Sequence, residues 1–102
     1  MTLRSKKYIT FCGHSLGGAI AIFAAAYYGN ISHNNIGISC HTFGAPRVGD
    51  TEFVQWLNEG ADDIINVVSE GDVVPLFPLI GYDPNTSKTV IMKEGKIVPK
   101  KN

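Results

Sequence analysis

An excess of charge of either sign is missing from this 102-residue sequence: nine Lys and Arg balance nine Asp and Glu, for a formal net charge of zero. That balance argues against a partner recognised mainly through charge, so neither nucleic acid nor an anionic membrane is expected. The pairs Lys6-Lys7 and Lys100-Lys101 lie near the ends and read as solvated. Cysteine is scarce too. Cys12 and Cys40 each sit inside an apolar run read as a strand, where a free thiol acts as a small buried hydrophobe. A bridge between neighbouring strands is the second possibility, and two cysteines leave the compartment undetermined. Long apolar runs are absent: the stretch 19–28 falls far short of the ~20 residues of a membrane span. The basic start at 1–7 looks like the head of a leader, but the run behind it is cut at once by Gly13-His14-Ser15, so no signal peptide is expected. Repeats and low-complexity segments are lacking. The length allows one small domain rather than two, and 44% hydrophobic content is ordinary for a globular chain.

What is there centres on Tyr8-Ile9-Thr10-Phe11-Cys12-Gly13-His14-Ser15-Leu16-Gly17-Gly18-Ala19, an apolar run that breaks into a small-residue helix at a serine flanked by glycines. Gly13-His14-Ser15-Leu16-Gly17 fits G-x-S-x-G, the nucleophile elbow, which requires a strand before it and a helix after it. A serine in so tight a turn takes a strained backbone conformation, and Gly13 and Gly17 have no Cβ to clash where the chain closes on itself. The new helix aims unpaired N–H groups and a positive dipole end at the same spot. An oxyanion formed by attack of Ser15 on a carbonyl would be held there, with the N–H of Leu16 as one donor.

Read in order, 8–12 is a strand of continuous apolar, β-branched and aromatic residues, the pattern of a parallel strand buried on both faces. A helix follows over 16–28, apolar nearly all round and so expected to be buried, with Gly29-Asn30 as its C-cap. Ser32-His33-Asn34-Asn35 is a polar loop, and 36–43 a second strand made parallel to the first by a right-handed crossover. The stretch 44–50 holds Pro46 and two glycines and reads as a loop. Asp50 caps a helix over 51–59 with Phe53, Trp56 and Leu57 facing inward and Gly60 ending it. The third strand is 64–69. Beyond it come Glu70-Gly71-Asp72, a turn region at 81–87, and a hairpin of 88–93 and 96–98 joined at Glu94-Gly95. The prediction is an α/β fold: three parallel strands, two crossover helices and a C-terminal hairpin, with sites beyond the C-terminal strand ends.

That geometry sorts the partners available to Ser15. Asp72 leaves the third strand on the Ser15 side and follows the serine in the order hydrolases use, Ser then acid; a plain turn role after Gly71 is the alternative. Asp62 and Asp63 enter the strand on the far side, and Asp50 is explained as a cap. A serine also needs a general base, usually histidine. The three histidines, His14, His33 and His41, all precede Asp72. His33 is in a far-side loop, His41 lies in a buried strand, and His14 is locked in the elbow. Packing roles are expected for His14 and His41, and no base is assigned.

Three blocks resemble the class 3 lipases, the fungal-lipase-like branch of the α/β hydrolases: Gly13-His14-Ser15-Leu16-Gly17-Gly18-Ala19, Thr42-Phe43-Gly44-Ala45-Pro46-Arg47-Val48-Gly49-Asp50 and Gly71-Asp72-Val73-Val74-Pro75-Leu76-Phe77-Pro78. The resemblance implies a partial α/β-hydrolase fold and hydrolysis of acylglycerols or related ester lipids. It assigns Ser15 as nucleophile, Asp72 as acid and Leu16 N–H in the oxyanion hole, and it implies transient contact with a lipid interface, no metal and no cofactor. Arg47 is given a structural role; Val74, Leu76 and Phe77 either border an acyl chain or pack as an ordinary loop. Members of the family carry the catalytic histidine well beyond the aspartate, and a lid and oxyanion strand ahead of the serine. After Gly81-Tyr82, where many place a histidine close by, this sequence has Asp83-Pro84. The chain is therefore expected to be the middle of a lipase domain; a non-catalytic remnant that binds lipid or a partner is the alternative.

Overall fold

Two βα units followed by a third strand set the architecture. The computed structural model describes residues 7–31, 36–78, 81–85, 89–94 and 96–99. It runs β1 (Lys7–His14), α1 (Leu16–Ile31), β2 (Ile36–Phe43), α2 (Thr51–Gly60), β3 (Asp63–Ser69), one 3₁₀ turn (Val74–Leu76), β4 (Thr89–Lys93) and β5 (Lys96–Pro99). The predicted loop with His33, the hairpin glycine Gly95, and Lys6, Lys100 and Lys101 lie outside the described residues.

The strands form one sheet in the order β1-β2-β3-β4-β5. All neighbours are parallel until β5, which turns back against β4. The hairpin thus adds a fourth parallel strand to the three expected.

Right-handed crossovers that always step in the same direction place both helices on the same face of the sheet. Side chains alternate between faces, and β2 displays the result. Ile38, Cys40 and Thr42 are buried under the helices, whereas Ser39 and His41 are half-exposed and Phe43 is exposed. Ile22, Ala25 and Ala26 of α1 and Leu57 of α2 close the core over Ile38, Cys40 and Ile64.

The same one-sided cover corrects several expectations. Strand β1 is mostly exposed rather than buried on both faces, because it is an edge strand and one of its faces carries no helix. Cys12 is exposed, while Cys40 is buried as expected, and neither is in a disulfide. Burial pushes the Cys40 thiol up to about 11, with a smaller push from Cys12, so it stays protonated at neutral pH and acts as inert filling. Helix α1 buries a single stripe, and Ile20, Phe23 and Tyr27 stay 63%, 53% and 55% exposed.

Helix α1 also runs through its expected cap to Ile31. A Cβ on Gly29 would collide with the Gly60 carbonyl, so this glycine is where the two helices touch. The Asn30 amide donates 2.8 Å bonds to the carbonyls of Ala26 and Trp56, tying α1 to α2. Gly29-Asn30 is therefore a helix–helix joint and not a terminator. Helix α2 starts as predicted, with the Asp50 carboxylate accepting the Phe53 N–H at 3.0 Å, and ends one residue later than expected. Of its predicted inward residues Leu57 is buried, Phe53 is half-buried and Trp56 is exposed.

Candidate active site

Ser15 is the single residue between β1 and α1, and its φ is 53°. A non-glycine residue in this left-handed region costs on the order of 1–3 kcal/mol and persists only where its surroundings enforce it. Here they do. The Ser15 N–H donates to the Phe43 carbonyl at 2.8 Å, and the Ser15 carbonyl accepts from Gly18 and Ala19 at 2.9 and 3.2 Å. A Cβ on Gly13 would strike the Gly17 carbonyl, so the turn closes only over glycine. Gly17 itself faces open space among the described residues, which corrects the expectation that both elbow glycines prevent a clash. The second tight position is Gly18, where a Cβ would lie 2.8 Å from that of Ala45. Leu16 opens the helix, so its N–H belongs to the first turn that the helix leaves without an internal acceptor.

Asp72 lies in the turn after β3, its N–H donating to the Ser69 carbonyl at 3.0 Å beside Gly71 at φ 87°. Its Oδ1 accepts the Val74 N–H at 3.0 Å and so performs the turn role. Its Oδ2 lies over Gly44, where a Cβ would come within 2.8 Å of it. Gly44 is itself left-handed, φ 67°, and its N–H donates to the Val67 carbonyl at 2.7 Å. The Phe43–Gly44 segment thus holds the Ser15 N–H on one side and meets the Asp72 carboxylate on the other. A cleft of about 230 Å³ beside it is lined by His14, Phe43, Gly44, Val67, Ser69, Asp72 and Met92.

The histidines fall as follows. His14 ends β1, exposed at the rim of this cleft rather than packed. His41 is not in a two-sided core: it faces the helix-free side, half-exposed, with its Nε2 3.7 Å from Asp63 Oδ2. Asp62 accepts the Ile38 N–H at 2.8 Å at the opposite end of the strands. Asp62, just ahead of β3, and Asp63, its first residue, are thus engaged away from Ser15, as the sequence predicts.

Two buried asparagines were not singled out from the sequence. Asn66, 8% exposed, bonds Thr42 and Ala45; Asn85, 5% exposed, accepts the Val48 N–H at 3.2 Å and donates to the Pro46 carbonyl at 2.8 Å. The signal for Asn66 was present, since asparagine is disfavoured within a β-branched run. Nothing marked Asn85. With the Asp83 N–H on the Gly49 carbonyl at 2.8 Å and the Thr51 hydroxyl on the Asp83 carboxylate at 2.7 Å, the segment at 83–85 clasps the loop at 44–50. Arg47 shares in this: its N–H reaches the Phe77 carbonyl at 2.8 Å, and its Nη1 the Tyr82 carbonyl at 3.3 Å.

Among the described residues no group of three or more His, Cys, Asp or Glu is placed to hold a metal ion, and no helix is long and apolar enough to cross a membrane.

The family profile described as lipase (class 3) matches residues 2–82. Protein EDS1 of Arabidopsis thaliana is 43% identical over 82 residues, covering 74% of this chain and 13% of its own length. Phospholipase A1-IIalpha of the same plant is 34% identical over 84 residues, 72% of this chain and 20% of its own. Of solved structures, a triacylglycerol lipase described as having a serine protease triad at its catalytic centre superposes with a TM-score of 0.72 at 28% identity, over 86% of this chain and 34% of that one. The chain spans a fifth or less of the length of these curated relatives.

Proposed function

Because the chain belongs to the class 3 lipase family, we propose that it carries the nucleophile and the acid of a lipase-type carboxylic ester hydrolase acting on acylglycerols or phospholipids. Ser15 Oγ attacks the ester carbonyl, and the oxyanion is held by the Leu16 N–H at the positive end of α1. The alcohol leaves with a proton, the acyl group stays on Ser15, and water then releases it as the fatty acid. Asp72 orients and balances the charge of a histidine base. The last histidine of the sequence is His41, so in this reading the base is supplied from outside these 102 residues and the chain alone is an incomplete site. The observation that supports it most is the left-handed Ser15, bonded to the Phe43 carbonyl one peptide away from the Asp72 carboxylate. Contact with a lipid interface is part of the same proposal.

A second reading is a non-catalytic lipase-like module that binds lipid or a partner. It is favoured by the apolar stripe Ile20, Phe23 and Tyr27 left bare on α1 among the described residues.

Incubation with a fluorophosphonate probe in imidazole, which stands in for the missing base, followed by peptide mapping separates the two. The enzyme reading expects the adduct on Ser15 and none in Ser15→Ala. A chain that takes no label, or takes the same label in Ser15→Ala, would favour the binding module.

A further inference from the structure

We infer that Asn66 is a positioning residue that fixes the distance between Ser15 and Asp72, an assignment resting on the reading of those two as nucleophile and acid. The chain leaves the ladder after Phe43 and turns at the left-handed Gly44. Ala45 is then buried and past the end of β2, so its N–H and C=O have lost their strand partners, and unpaired buried backbone groups are costly. The Asn66 side chain supplies one of each kind. Its Oδ1 accepts the Ala45 N–H at 3.2 Å and its Nδ2 donates to the Ala45 carbonyl at 3.4 Å. The same Oδ1 accepts the Thr42 hydroxyl at 2.8 Å.

Thr42 and Ala45 bracket Phe43 and Gly44, the two residues that hold the Ser15 N–H and meet the Asp72 carboxylate. Asn66 and Asp72 belong to the same run of chain, β3 and the turn that follows it. One amide therefore ties the strand that delivers the acid to the bend that seats the nucleophile. Aspartate at this position would keep the acceptor and lose the donor; alanine would lose both. The residue touches no substrate atom and acts through the Phe43–Gly44 bend.

The test is amide hydrogen exchange on the full chain, comparing the Ser15 and Gly44 amides with that of Ala61, which is bonded to the Leu57 carbonyl at the far end of α2. Thr42→Val, N66D and N66A form the series. Exchange at Ser15 and Gly44 should quicken at least tenfold relative to Ala61 in N66A and Thr42→Val, and less in N66D. Equal quickening at all three amides, or none at Ser15, would overturn the assignment. Should N66A fail to fold, Thr42→Val and N66D decide it alone. Exchange does not depend on chemistry at Ser15, so failure of the parent chain to take the fluorophosphonate would count against the nucleophile while leaving this result to stand or fall separately.

Discussion

Gly44 shows how one residue type governs the site. Its φ of 67° suits glycine alone at little cost, and the space a Cβ would take lies 2.8 Å from the Asp72 carboxylate oxygen. In Gly44→Ala the backbone penalty is about 1–2 kcal/mol. The methyl group also pushes Asp72 away from the Phe43–Gly44 bend. The expected outcome is a lower melting temperature by calorimetry; an unchanged melting temperature would show that Asp72 need not approach this bend. The proposed roles of Ser15 and Asp72 are legible in the sequence because their flanks are short local patterns, G-x-S-x-G and a turn after a strand. Gly18 and Asn66 are not legible there, since what constrains them, Ala45 and the freed backbone beyond Phe43, comes from the loop after β2. Gly17 shows the same limit: the elbow pattern names it, but only the surroundings say whether a Cβ would collide.

The elements were read well where the signal was local and less well where it depended on what covers them. Asp50 caps α2 through its own sequence context, and β2 keeps its predicted bounds. The end of α1 did not follow from Gly29-Asn30, because glycine serves helix crossings as well as caps. That difference has a sign. In an exposed helix Gly→Ala is stabilising by up to about 1 kcal/mol; at Gly29 the added methyl would run into the Gly60 carbonyl and part α1 from α2. Urea denaturation of Gly29→Ala should give a lower midpoint than the parent. A higher midpoint would return Gly29 to the role of an ordinary helix position and remove the joint. Burial of β1 and of the whole of α1 was overestimated because continuous apolar runs report capacity for burial; the sheet's single helical layer leaves one face and one edge without cover.

At the scale of the whole molecule, four parallel strands carry Ser15 and Asp72 to the same end of the sheet, and no histidine follows the acid. In the proposed function Ser15 and Asp72 are thus a nucleophile and an acid held ready, with the base to be supplied. Imidazole in solution is a small substitute for that base, and it tests the central claim directly. Fluorophosphonate labelling should be slow in buffer, accelerate at least tenfold in imidazole with the adduct mapped to Ser15, and be absent in Ser15→Ala. Labelling that imidazole leaves unchanged, or that survives Ser15→Ala, would contradict the account.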